Sequence, residues 1–351
     1  MTAHIGVLEL LIRGAAAGGF VLLAGGVIGS GRSPARVTGA LFSTAAAAHV
    51  LTQSPTAFEG LGAARGPVWV LSVMGAGLFW AFAMELFGDH ARLSPLRLVP
   101  STLLLAIGVA ATLSPPTAAR LIWLSHNLVG AGLMLHLLLT VWTGWRGDLV
   151  EARRRLRGPL LGVAALYALV VVGVQSAELF SRPAHELSML AAVSLLIISF
   201  ASGAVFLRAD PQLFGTARVS GREPRVTAPD QVLLARLRAA LDGEELWRRE
   251  GLTIGALAAS LGAPEHHLRR LINEGLGYRN FTAFINERRV EAAKQMLSDP
   301  SKARTTIATV AYEVGFSSLG PFNRAFRAGA GRTPTAWRRT AQAGWSIPEA
   351  G

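Results

Sequence analysis

VAYEVGFSSLGPFNRAFR, residues 310–327, reads as the end of one helix, a turn at Gly315 and the whole of a second helix. Phe322 and Phe326 fall four apart, so they share one helix face and form a buried stripe. Ser318, Asn323, Arg324 and Arg327 lie off that stripe. Just upstream, Ile307, Val310 and Ala311 carry the apolar spacing of a short preceding helix. The pattern also occurs once earlier, in LTIGALAASLGAPEHHLRRLINEG, residues 252–275. There an apolar helix meets a turn at Gly262, and a second helix buries Leu268, Leu271 and Ile272 while His266, Arg269, Arg270 and Asn273 lie off its stripe. Between the two, NFTAFINERRVEAAKQML (280–297) reads as one helix with Phe281, Ile285, Ala292 and Met296 along a side. Two helix-turn-helix units joined by a rigid helix can place two recognition helices in successive major grooves, about 34 Å apart on one face of a duplex. Residues 227–341 hold 17 Arg and Lys against 11 Asp and Glu, a balance suited to phosphate contacts.

These residues carry a resemblance specific enough to name. LAASLGAPEHHLRRLINEGLGYRNFTAFINERRVEAAKQML, then IATVAYEVGFSSLGPFNRAFRAGAGRTPTAWRR with its Gly315–Phe316 turn and its Gly331-x-x-Pro334 ahead of an aromatic and Arg, resemble the DNA-binding domain of the AraC/XylS family. The resemblance implies that His266, Arg269 and Arg270 of the first recognition helix approach bases. It places Leu319, Gly320, Asn323 and Arg324 at the corresponding positions of the second. Arg can grip guanine through O6 and N7, and His can donate one hydrogen bond. Leu319, Gly320 and Pro321 depart from a strong base-reading set, so the second helix is expected mainly to position the domain on phosphates, with Asn323 and Arg324 its readers. The arrangement as a whole is similar to a less common group in which a polytopic membrane region replaces the family's usual soluble sensor.

The membrane region follows from composition. Of 351 residues, 51% are hydrophobic and only 16% charged, and the mean hydropathy is +0.40. Almost all of the excess apolar material precedes residue 208. Seven stretches approach the roughly 20 helical residues that cross a hydrocarbon core: 9–30, 36–53, 67–88, 96–114, 118–143, 159–180 and 186–208. The second is short and Ala-rich, the weakest of the seven. The first lacks a basic stretch before its apolar run and so reads as a span rather than a cleaved leader.

Arg and Lys in alternate connections set the orientation. One set of loops holds Arg32, Arg36, Arg92, Arg97, Arg146, Arg153, Arg154, Arg155 and Arg157; the other holds only Arg65, Arg120 and Arg182. The asymmetry predicts an N-terminus outside the cell and residues beyond 208 in the cytoplasm, in a bacterial inner membrane. Arg13, one turn past Glu9, is expected to pair with it and snorkel at the outer end of the first span.

Polar residues inside such spans are costly and therefore informative. His49 and Gln53, His126 and Asn127, and Gln175 and Glu178 reach a similar depth near the outer face. They are candidates for a ligand pocket; interhelical hydrogen bonding or proximity to the headgroups is the alternative reading. Glu85 and His136 lie nearer the inner side, as interface residues or a proton relay. No His pair has metal-site spacing, and no phosphate loop or catalytic constellation stands out, so no cofactor, metal or enzymatic activity is expected. The absence of Cys excludes disulfides, thiolate metal sites and Cys nucleophiles.

The sequence thus predicts an all-α chain: a membrane domain over 1–208 forming a seven-helix bundle, a basic linker over 209–229, a domain with two helix-turn-helix units over 230–341, and a tail over 342–351. The segment DQVLLARLRAALDGEELW (230–247) carries Val232, Leu233, Leu237 and Leu241 at helical spacing, to pack on its own domain or on a second copy. The expected partners are double-stranded DNA, the bilayer and a small-molecule or membrane stimulus, with RNA polymerase and a second copy of the chain as further partners the reading admits. Two alternatives stay open: a transporter or membrane enzyme with an autoregulatory DNA-binding tail, and a regulator that the membrane half merely anchors.

Overall fold

The computed structural model describes residues 2–29, 33–87, 94–144, 147–149, 158, 159, 162, 185–207 and 228–342, and the described elements are helical. The chain divides into two compact units: Met1–Trp145 with Ala152–Ser220, and Arg146–Glu151 with Gly221–Gly351.

In the first unit the long helices are α1 (Thr2–Gly29), α2 (Pro34–Thr52), α3 (Arg65–Phe87), α4 (Val99–Leu113), α5 (Pro116–Gly144) and α6 (His185–Leu207). They correspond to six of the seven apolar stretches; residues 159–180, with Gln175 and Glu178, lie outside the described residues. Among the described residues, five spans are long and apolar enough to cross a membrane: Gly6–Gly29, Gly62–Phe87, Pro95–Leu113, Pro116–Gly144 and Ser188–Val205. α2 falls short in apolarity for a physical reason. It packs against both α1 and α3, so most of its side chains meet protein, and small or hydroxylic residues let neighbouring backbones approach. Gly39 shows this directly: a Cβ there would lie 2.9 Å from the Phe82 ring. Its buried hydroxyls are satisfied within the helix, Thr38 Oγ1 donating to Pro34 O at 2.8 Å and Ser43 Oγ to Gly39 O at 2.9 Å.

The surface of this unit departs from the pattern of a water-soluble protein. Leu22, Leu113, Leu121 and Trp142 are more than two-thirds exposed, while Arg13, Glu85, Ser101 and Ser199 are buried. An apolar exterior, around a largely apolar core that also holds a few polar side chains, suits lipid as the solvent. The buried charges are paired. Arg97 lies 2.8 Å from Glu85, tying the start of α4 to α3. Arg13 does not snorkel as expected: it is 1% exposed, and it donates to Glu9 at 2.8 Å, Val50 O at 3.1 Å and Ser188 Oγ at 3.0 Å. It clamps α1, α2 and α6 because three acceptors surround it before its side chain could reach an interface.

The second unit contains α7 (Ala228–Arg238), α8 (Ile254–Ser260), α9 (Glu265–Arg270), α10 (Phe281–Ser298), α11 (Ile307–Glu313), α12 (Leu319–Ala330) and α13 (Pro334–Gln342). One core joins them, including Leu237, Leu257, Leu268, Phe284, Val310 and Phe322. α7 belongs to this core through Leu233 and Leu237, and Leu241 in the turn beyond it joins them, while Val232 is 54% exposed. The stripe is thus used within its own domain. Leu149, from the short segment 147–149, is buried in the same core.

Candidate nucleic-acid interface and polar cluster

Each helix-turn-helix unit is fixed by capping and by one obligatory turn. Thr253 caps α8 by accepting from Ala256 N at 3.1 Å, and Thr306 caps α11 by accepting from Thr309 N at 3.0 Å. Gly262 and Gly315 take the left-handed turn at φ 60° and 87°. At Gly315 a Cβ would also collide with the carbonyl oxygen of Arg248, so both backbone angle and space demand glycine.

The second recognition helix, α12, buries Phe322 and Phe326 completely and exposes Ser318, Leu319, Asn323, Arg324 and Arg327. Gly331, at φ 71°, ends it with its N–H on Arg327 O at 2.9 Å. Behind α12, Phe326 meets Trp337 edge to face at 6.0 Å, and Trp337 Nε1 donates to Ser298 Oγ at 3.1 Å, which locks α13 against α10. A packed helix that presents Asn323, Arg324 and Arg327 on its exposed side suits groove docking, although Leu319 interrupts its polar face.

In the first unit, α9 buries Leu268 and exposes His266, His267 and Arg270. Arg270 reaches Asp230 of α7 at 3.2 Å while its side chain stays half exposed. Such a pair is worth at most about 1 kcal/mol and can be exchanged for a phosphate or base edge. Asn273 is half-buried, and its amide nitrogen has no hydrogen-bond partner among the described residues. Arg269 differs from the other three residues placed off the stripe. It is 6% exposed, ion-paired with Glu265, and donates to the backbone oxygen of Asp148 at 2.7 Å.

The connecting helix α10 starts at Asn280, whose side chain accepts from Thr282 N at 2.8 Å. Sequence reasoning missed its central residue, Arg289. This side chain is buried, donates to Trp247 O at 2.7 Å and Arg249 O at 2.8 Å, and lies over the Phe316 ring at 5.3 Å. Burial holds its pKa below the ordinary value for arginine. The signal was present, since Arg289 is four residues after Ile285 and four before Ala293, on the apolar stripe itself. Tyr278 donates to Glu287 near the start of the same helix, which raises the phenol's pKa.

In the first unit of the chain, two of the polar candidates, His49 and His126, meet the same helix. His49 Nδ1 is 3.3 Å from Ser72 Oγ, which is 2.8 Å from Thr52 Oγ1. His126 Nε2 is 3.2 Å from the oxygen of Val73, the next residue of α3. His49 on α2 and His126 on α5 therefore meet consecutive residues of α3, and Arg13 holds Val50 O beside His49. Gln53 sits exposed at the end of α2, and Asn127 is half-buried on α5. Deeper along α3, Trp80 Nε1 donates to His136 Nδ1 at 3.1 Å. Among the described residues no group of three or more His, Asp or Glu side chains could hold a metal ion.

Residues 257–340 match the family model of a helix-turn-helix domain, which spans both units and the helix between them. No curated protein and no solved structure matches the chain.

Proposed function

Because the C-terminal domain is an AraC-type DNA-binding domain, we propose that the chain is a membrane-embedded transcriptional regulator whose DNA occupancy is set by a signal at the outer face or within the bilayer. The observation that carries this reading is the coexistence of two exposed recognition faces with a helical half whose long helices expose apolar side chains and bury a few charged ones. The Arg asymmetry between alternate connections supports a bacterial inner membrane, with the N-terminus outside and the DNA-binding domain in the cytoplasm.

His266, Arg270 and Asn273 of the first unit contact base edges or phosphates, as do Ser318, Leu319, Asn323, Arg324 and Arg327 of the second. The layer around His49, Ser72 and His126 receives the stimulus, with Gln53, Asn127, Gln175 and Glu178 as further contributors. A ligand there controls DNA binding only if it prefers one of two states of the bundle. Transport is the weaker reading. The two inner polar residues that would extend a path across the bundle, Glu85 and His136, are engaged by Arg97 and Trp80.

The test is crosslinking of the full-length protein to DNA in its native membrane, followed by sequencing of the bound fragments. Enriched sites with paired half-sites about one helical turn apart are expected. A profile without specific sites would overturn the regulator.

A further inference from the structure

Residues 147–149 follow α5 in the chain, within the apolar half of the sequence, yet they are built into the DNA-binding unit. Asp148 forms an antiparallel bridge with Asn280. Phe281 N donates to Gly147 O at 2.8 Å, and Leu149 N donates to Arg279 O at 3.1 Å. Leu149 is 3% exposed within the core of that unit. Arg269, on the first recognition helix, donates to the backbone oxygen of Asp148 at 2.7 Å. Three residues thus use backbone pairing, an apolar anchor and a guanidinium, a set of contacts too specific for a passing loop.

We propose that Gly147–Leu149 is an intramolecular strap that docks on the edge formed by Arg279–Phe281 and withdraws Arg269 from DNA. The surface commits to this occupant because the backbone donors and acceptors of 279–281 pair with it residue by residue. A guanidinium that donates to Glu265 and to Asp148 O, at 6% exposure, cannot reach a phosphate or guanine at the same time. Docking and full engagement of the first recognition helix therefore compete. His266 and Arg270 stay exposed when the strap is docked, so the strap weakens DNA binding without abolishing it. By linkage, DNA that engages Arg269 loosens the strap by the same factor that the strap weakens DNA. Gly144, the last residue of α5, is only four residues before Asp148 in the sequence. The inference rests on the reading that the domain binds DNA.

The chain contains no cysteine, so an introduced pair reports without background. A Cβ at Gly147 would lie 3.4 Å from Thr282 Oγ1, a separation compatible with a disulfide. Full-length Gly147→Cys/Thr282→Cys in membrane vesicles is oxidised, and its affinity for a random-sequence duplex is compared before and after reduction. The strap predicts efficient crosslinking, DNA binding about fivefold weaker when crosslinked, and recovery on reduction. Full-length Leu149→Asp should bind about fivefold more tightly than the parent, and Leu149→Met should match the parent. Failure to crosslink, or equal DNA affinity in both redox states, overturns the strap while DNA binding itself stands. Loss of DNA binding in every form, parent included, removes the regulator reading and the strap with it.

Discussion

Buried and exposed arginines divide the chain's positive charge into structural and functional shares. Arg13 and Arg289 satisfy backbone carbonyls across elements, whereas Arg270 is half exposed and held by one carboxylate. Replacing Arg289 with Met leaves the carbonyls of Trp247 and Arg249 without their donors, and each lost hydrogen bond to a charged group is worth about 1.5 to 3 kcal/mol. Arg289→Met should therefore destabilise the DNA-binding unit by about 3 kcal/mol, read as a faster loss of that unit in pulse proteolysis of membrane vesicles. Arg270→Ala should leave proteolysis unchanged and weaken DNA binding by about 1 to 3 kcal/mol with relaxed base preference. A uniform loss across sequences would make it a phosphate contact instead. The sequence could not separate these arginines by type. Position on the stripe marks Arg289 as buried, but Arg269 lies off its stripe and is engaged both by Glu265 and by Asp148 O, the second a long-range pairing that no local pattern encodes.

At the scale of elements, the helix-turn-helix units were legible because their apolar periodicity and turn glycines agree with one another. Phe322 and Phe326 fix the face of α12, and that face alone decides which of Ser318, Asn323, Arg324 and Arg327 are presented. Phe322→Ala, which empties a fully buried ring position, should cost about 3 to 5 kcal/mol and abolish binding to paired half-sites. Retained binding with an unchanged footprint would mean that α12 does not enter a groove. α2 was harder to read, because its hydropathy falls where protein replaces lipid around it. α7 showed the opposite ambiguity. Its Leu stripe predicted burial, while the choice between its own domain and a second copy depended on where the core of α8 to α12 lies, which is tertiary information.

For the whole molecule, the division into an apolar and a basic half is written in composition, but the coupling between them is not. Hydropathy and Arg counts describe each half against its solvent, and they contain nothing about which connection carries a signal. The proposed pocket layer assigns the bundle a sensing role, so the bundle should be irreplaceable by a simple anchor. Exchanging residues 1–208 for one unrelated membrane span should preserve the set of DNA sites, because both recognition helices remain. Occupancy at those sites should become constant across growth conditions that change it in the parent, because no layer around His49 and His126 is left to favour one state. The chimera also lacks residues 147–149, so its constant occupancy should lie near that of Leu149→Asp, the released strap. A chimera that still tracks growth conditions would reduce the six described helices to an anchor and place the sensing step in the DNA-binding unit.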